Sequence, residues 1–229
     1  MQRVLLITGA SSGIGAATAR AAAREGYKLV LAARSRERLE GLCQELGPEN
    51  VQSVAMDVTD MGAQRAMVEQ ALERFGRLDA VFANAGRGGS PGGFSGADHE
   101  AWREMILTNV YGVGLTVQAT LPALRKTRGH VLLTGSAAGR ATIPGSMYGA
   151  TKWAVTGLGY NLREELRGSG IRVTLIEPGM VDTPFFDEAP EHALEARDIA
   201  AAVLYALGQP DHVDVNEILV RPTPPLAED

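Results

Sequence analysis

Tyr148 and Lys152 stand four residues apart in the run Met147-Tyr148-Gly149-Ala150-Thr151-Lys152, and Ser136 lies twelve residues upstream of the tyrosine. On a helix, positions four apart share a face, so the phenol and the ammonium project together. A phenol has a reference pKa of about 10 and is a poor proton-transfer group at neutral pH. A cation about 4 Å away is worth roughly 4 kcal/mol at an effective dielectric near 20, or about three pKa units in favour of the phenolate. The spacing therefore predicts that Lys152 lowers the Tyr148 pKa and makes the phenol a general acid or base. A nearby serine hydroxyl, Ser136, would hold a carbonyl oxygen in line with it.

Groups of this kind need a rigid scaffold, and the chain supplies the pattern of one. Short apolar runs at 3–7, 28–33, 51–55, 78–83, 130–134, 172–176 and 217–220 alternate with amphipathic stretches near 13–25, 36–46, 60–75, 98–126, 147–168 and 196–207. Strand–helix alternation predicts an α/β domain, a doubly wound (Rossmann) parallel sheet of about seven strands with helices on both faces. No charge-rich or Pro-rich linker and no internal repeat interrupts it, so residues 1–229 read as one domain. Two segments break the rhythm, the glycine-rich 87–96 and the aperiodic 184–197, and both follow strand ends where such sheets bind ligands. They are expected to be mobile walls of a site. The tail 221–229 carries three prolines and is expected to be extended.

Composition excludes several function classes. The chain has 45% hydrophobic and 21% charged residues and a net charge of −5, which argues against nucleic acid or an anionic membrane as partner. The first apolar run is too short for a secretory segment, and no stretch approaches the ~20 apolar residues that span a bilayer. Cys43 is alone, so no internal disulfide forms; its helical spacing with Leu39, Leu42 and Leu46 makes it a small core residue. The four histidines are scattered, and no metal site is expected. A cytoplasmic chain is the expectation.

The first strand ends in Thr8-Gly9-Ala10-Ser11-Ser12-Gly13-Ile14-Gly15 ahead of an alanine-rich helix. Glycines there let the backbone approach a pyrophosphate, and the helix N-terminus favours its charge. The second strand ends in Ala32-Ala33-Arg34-Ser35-Arg36, with no acidic residue to bind a ribose 2′-hydroxyl. A guanidinium at Arg34 suits a 2′-phosphate instead, so NADP is expected over NAD.

In this order and spacing the motifs resemble the short-chain dehydrogenase/reductase family over nearly the whole chain. Gly9, Ser11, Ser12, Gly13, Ile14 and Gly15 match its cofactor loop, Asp57-Val58 its adenine-contacting pair, and Asn84-Ala85-Gly86 the motif closing its fourth strand. Asn109, Ser136, Tyr148 and Lys152 match its catalytic tetrad. Pro178, Gly179, Val181 and Thr183 fall in its nicotinamide-covering segment. The resemblance implies hydride transfer between NADP(H) and a carbonyl or secondary alcohol, with Ser136 on the oxygen and Tyr148 as proton donor. It also implies that Lys152 holds the nicotinamide ribose, that Asn109 supports a water chain to Lys152, and that Thr183 meets the carboxamide.

The substrate is less legible. The stretch after Thr183 is short for a lid in this family, which predicts an open pocket walled by Met180, Phe185, Phe186, Met147 and Ile143. Arg87 reads as a solvated loop residue, with contact to a substrate carboxylate as the alternative. The run 147–152 and the ending 215–222 are similar to bacterial NADP-dependent enzymes acting on 3-hydroxy acids and serine. A broad small-carbonyl reductase and a catalytically weak NADP-binding sensor protein are the alternatives. Gly112 and Gly114, in the same predicted helix as Asn109, suggest close packing or a local bulge. Extra apolar positions on the two long helices (Val110, Val113, Leu115, Val117; Trp153, Val155, Leu158) predict a homodimer or homotetramer.

Overall fold

The seven apolar runs pair in parallel into one sheet in the computed structural model, which describes residues 2–89 and 91–224. In chain order the strands are β1 (Val4–Thr8), β2 (Lys28–Ala33), β3 (Val51–Ala55), β4 (Ala80–Ala83), β5 (His130–Thr134), β6 (Arg172–Pro178) and β7 (Glu217–Val220). Their spatial order is β3-β2-β1-β4-β5-β6-β7. The order reverses between β1 and β4, whose register pairs Ile7 with Phe82. Ligands bind beyond the strand ends at such a switch point.

The helices are α1 (Gly13–Arg24), α2 (Arg36–Leu46), α3 (Met61–Phe75), α4 (His99–Ile106), α5 (Gly112–Thr127), α6 (Met147–Glu165) and α7 (Ala196–Gly208). Successive strand residues face opposite sides, so each strand feeds two cores. Leu6, Val81, Val131 and Val173 pack with Met67, Val113, Val117 and Val155 of α3, α5 and α6. Leu5, Phe82, Leu132 and Ile176 pack with Ala19, Leu39, Ile199 and Val203 of α1, α2 and α7. With both faces covered, the strands read as continuous apolar runs. No helix among the described residues is long and apolar enough to cross a membrane.

The predicted helix 98–126 is not continuous. A π-helical turn, Leu107–Tyr111, separates α4 from α5. Gly112 follows it because a Cβ there would lie 2.7 Å from Val58 Cγ2, so the bulged helix approaches the β3–α3 loop closely. Gly114 meets nothing, and the bulge rather than that glycine shapes the helix.

Val113, Leu115, Val117 and Val155 are also not surplus apolar surface. They are buried in the chain's own core, because α5 and α6 present wide faces to the sheet. The large exposed apolar residues here are Ile106 at the end of α4, Tyr111 in the π turn, and Trp153 and Tyr160 on α6. Cys43 is partly buried, with its Sγ 3.7 Å from the Val51 carbonyl oxygen. Residues 225–229 of the proline-containing tail lie outside the described residues.

Candidate active site

Ser146 starts α6 by accepting a hydrogen bond from Gly149 N at 2.9 Å, which satisfies one free donor of the first turn. That cap places Tyr148 in the first turn and Lys152 one turn on, at the C-terminal edge of β5. Lys152 is 4% exposed, its Nζ donates to the Thr134 carbonyl at 2.8 Å, and it lies 5.6 Å from the Tyr148 ring centroid. Ser136 is buried just beyond β5. Its hydroxyl accepts from Ala138 N at 3.1 Å and donates to the Pro178 carbonyl at 3.4 Å.

The expected lowering of the Tyr148 pKa is overturned in the protein alone. Burial pushes the phenol up to about 12, against the opposing effect of a hydrogen bond with Ser136. Burial also lowers the Lys152 ammonium to about 8. Desolvation disfavours the charged form of both groups, and the lysine is occupied by a backbone carbonyl. Helical spacing brought the two together without bringing the ammonium onto the phenol oxygen.

Asn109 sits in the π turn and is 1% exposed. Its side chain clamps Arg87 at two points, Oδ1 accepting from Arg87 N at 2.9 Å and Nδ2 donating to the Arg87 carbonyl at 3.0 Å. Nδ2 also donates to Thr151 Oγ1 at 3.1 Å, tying this clamp to α6. The polar atoms of the Asn109 side chain therefore go to the protein itself. Single-turn π segments recur at functional sites, and here the bulge aims a polar side chain into a strand-end crevice.

The cofactor-loop residues gather at the switch point. Gly9 has φ +65°, and a Cβ there would lie 2.8 Å from Ala85 Cα. A Cβ on Gly15 would lie 2.3 Å from the Gly9 carbonyl oxygen, so neither position admits a side chain. Asn84 joins the pieces: Nδ2 donates to the Thr8 carbonyl at 3.1 Å and Oδ1 accepts from Thr134 Oγ1 at 3.2 Å. The Asn84 and Ala85 amides both donate to Thr8 Oγ1. Gly86 faces Asn109 and Lys152.

Ser11, Ser12 and Ile14 are part-exposed around the start of α1, and the Ser12 side chain makes no cap hydrogen bond. The helix N-terminus thus keeps donors for a phosphate, which fits the dinucleotide expected there. Arg34 is exposed at the end of β2. Asp57 is held below its usual range by hydrogen bonds from Thr59, with a smaller effect from the nearby Arg34 charge. Val58 is buried against Gly112. Thr183 lies across the loop from Gly13, where a Cβ would sit 3.2 Å from Thr183 Cβ. Gly179 N donates to the Val220 carbonyl at 2.7 Å, and Val181 is buried in a short pairing of Val181–Asp182 with Leu194–Glu195. Pro178, Gly179, Val181 and Thr183 are thereby anchored at both ends.

The substrate side is more closed than its length suggested. The Phe185 ring packs edge-on against Tyr148 at 5.6 Å and against Phe186 at 5.1 Å. A Cβ on Gly88 would lie 3.4 Å from the Phe185 ring, and one on Gly89 would lie 3.5 Å from Tyr148 Cβ. Segment 87–89 and Phe185 therefore meet beside Tyr148. Arg87 forms an ion pair with Glu104 of α4 instead of being merely solvated. Ile143 and Met180 are exposed.

Thr8 and Thr151 lay within the quoted runs without being singled out, and Thr134, Arg140 and Glu177, the last two an ion pair beneath Ser136, lay outside them. The two strand-end threonines had a signal, a hydroxyl closing an apolar run. Glu177 had another, a carboxylate directly after the apolar run 172–176 and before a proline.

A family model described as short chain dehydrogenase matches residues 3–194. An uncharacterised oxidoreductase of Staphylococcus haemolyticus is 39% identical over 225 residues, covering 96% of this chain and 97% of the relative. An alcohol dehydrogenase from Thermococcus sibiricus, solved with 5-hydroxy-NADP, superposes with a TM-score of 0.91 at 36% identity and covers 100% of both chains. A serine dehydrogenase from Escherichia coli superposes with a TM-score of 0.87 at 33% identity, covering 95% of this chain and 96% of that one.

Proposed function

Because this chain belongs to the short-chain dehydrogenase family of oxidoreductases, we propose that it reduces carbonyl compounds with NADPH, and oxidises the matching secondary alcohols in reverse. The observation that carries this reading is that Ser136, Tyr148 and Lys152 gather at the C-terminal edge of β5, with Lys152 buried one turn behind the phenol. When bound, the nicotinamide supplies or accepts the hydride. The chain's own residues do the rest. Ser136 holds the carbonyl oxygen, and Tyr148, protonated throughout the neutral range, gives that oxygen its proton as negative charge develops. The glycine loop and the N-terminus of α1 bind the pyrophosphate, Arg34 takes the 2′-phosphate, and Thr183 takes the carboxamide.

For the substrate, the Arg87–Glu104 pair favours an uncharged carbonyl compound over a 3-hydroxy acid or serine, since the arginine's charge is already matched. Phe185 beside Tyr148 supports an apolar group next to the carbonyl. Exposed Tyr111 and Trp153 on the π turn and α6 support a homodimer or homotetramer. A single species of monomer mass at micromolar concentration would contradict that assembly.

The test is a turnover screen with NADPH and NADH against neutral ketones and aldehydes, 3-oxo acids, 3-hydroxy acids and serine. NADPH-dependent reduction of neutral carbonyls is expected, falling by about 10²-fold or more in Tyr148→Phe. Turnover unchanged in that variant would refute the mechanism.

A further inference from the structure

Glu177 is a carboxylate inside an apolar strand, 1% exposed, directly before Pro178. A buried charge is costly unless it is paired and hydrogen-bonded. Its partner is Arg140, whose Nε donates to Glu177 Oε1 at 2.7 Å. Thr156 Oγ1 lies 3.5 Å from the same oxygen and 3.5 Å from the Gly139 carbonyl. Burial raises the Glu177 carboxyl above its ordinary range, and Arg140 opposes that rise.

We propose that Glu177 and Arg140 are a positioning pair that locks the Ser136 loop to Pro178 and α6, fixing where a carbonyl oxygen is held. The inference rests on the carbonyl-reductase reading of the same site. Ser136 through Arg140 form one tight 3-10 turn, with Gly139 N donating to the Ser136 carbonyl at 2.9 Å and Arg140 N to the Ala137 carbonyl at 3.0 Å. A Cβ on Gly139 would lie 2.8 Å from the Lys152 carbonyl oxygen, so the turn rests on α6 beside Lys152. A Cβ on Gly135 would lie 3.0 Å from Glu177 Cγ, so the other end of the turn rests on the glutamate itself. The Ser136 hydroxyl then donates to the carbonyl of the residue after Glu177.

Arg140 extends the lock outward. Its Nη1 donates to Tyr160 Oη at 2.8 Å, and Nη2 lies 2.7 Å from Glu217 Oε2. Tyr160 in turn donates to Glu217. One guanidinium therefore joins the Ser136 turn, β6, α6 and β7. A planar fork suits this, whereas a lysine at 140 would hold only part of the set.

The test compares Arg140→Met, Arg140→Lys and Thr156→Val with wild type, each also in a Ser136→Ala background. Readouts are single-turnover rate at saturating NADPH and carbonyl substrate, NADPH affinity by fluorescence, and hydrogen exchange of segment 135–140. Arg140→Met should slow turnover about tenfold, as expected for a displaced reacting group, with NADPH affinity within about twofold. Arg140→Lys should recover part of that loss. In the Ser136→Ala background the same change should cost less than about twofold, because the group being positioned is gone. Exchange at 135–140 should accelerate. Full multiplicative loss in that background, or NADPH affinity falling as far as the rate, would overturn the proposal. If Arg140→Met does not fold, Thr156→Val, which removes one hydroxyl between Gly139 and Glu177, carries the same comparison. A wild-type protein that binds NADPH but reduces no carbonyl would defeat the carbonyl-reductase reading alone; unchanged exchange in the variants would defeat the pair.

Discussion

Lys152 donates to the backbone carbonyl of Thr134 at 2.8 Å, while the hydroxyl of that same threonine donates to Asn84 at 3.2 Å. Asn84 donates onward to the Thr8 carbonyl, next to the glycine loop. A chain of hydrogen bonds thus connects the lysine behind Tyr148 to the expected pyrophosphate site across three strand ends. Thr134→Val cuts the side-chain link and leaves the carbonyl to Lys152. Losing one such bond costs about 1 kcal/mol, so NADPH affinity should fall roughly fivefold. Isothermal titration checks this, and an unchanged affinity would show the link to be incidental.

Arg34 is exposed at the end of β2 and near Asp57. A charge-assisted contact to a 2′-phosphate is worth about 1.5–3 kcal/mol, or roughly 10- to 150-fold in affinity. Arg34→Asp should weaken NADPH by that factor and leave NADH nearly unchanged. Titrating both cofactors decides it; a retained NADPH preference would overturn the assignment.

Glu104 holds Arg87 at the wall beside Tyr148. Both side chains are partly exposed, so Glu104→Gln should barely move the melting temperature. It frees a guanidinium and removes a carboxylate that repels anions. Reduction of a 3-oxo acid should improve about fivefold or more relative to its methyl ester, whose kcat/KM should stay within about twofold. Equal gains for acid and ester would argue that Arg87 does not face the substrate.

His130 is buried at the start of β5, with Nε2 2.7 Å from Thr174 Oγ1. That hydroxyl donates to the Val215 carbonyl, so Nε2 carries the proton, and the buried Nδ1 has no partner among the described residues. Burial, and then the nearby Arg172 charge, lower its pKa to about 3. The folded state therefore resists a proton that the unfolded chain accepts near pH 6.5, and stability should fall as pH drops from about 6.5 toward 3. The slope from this group approaches about 1.4 kcal/mol per pH unit. Urea unfolding of wild type and His130→Gln across that range measures it. A slope unchanged in the variant would assign the acid sensitivity to other groups.

Much of the architecture was legible because the signals were local. Apolar runs bounded by turn residues located all seven strands, and the Thr8–Gly15 run marked the bend into α1. Strand β4 begins at Ala80 rather than residue 78, and the long helix breaks at Leu107, because boundaries depend on packing partners that no local pattern encodes. The π turn brings Gly112 against Val58, residues 54 positions apart in the chain.

The sequence by itself determined the chemistry available at the site. Tyr148 and Lys152 on one helix face, Ser136 ahead of them, a glycine loop after the first strand and no acid beside Arg34 are properties of order and spacing. Only the tertiary structure decided how those groups are poised. It half-buried Tyr148 and buried Lys152 so that desolvation raises the phenol and lowers the ammonium, gave Asn109 to the Arg87 backbone, and set Arg87 against Glu104. It also brought Glu177 and Arg140 together beneath Ser136. These outcomes depend on distance and dielectric between segments remote in the chain, and spacing along the sequence carries neither.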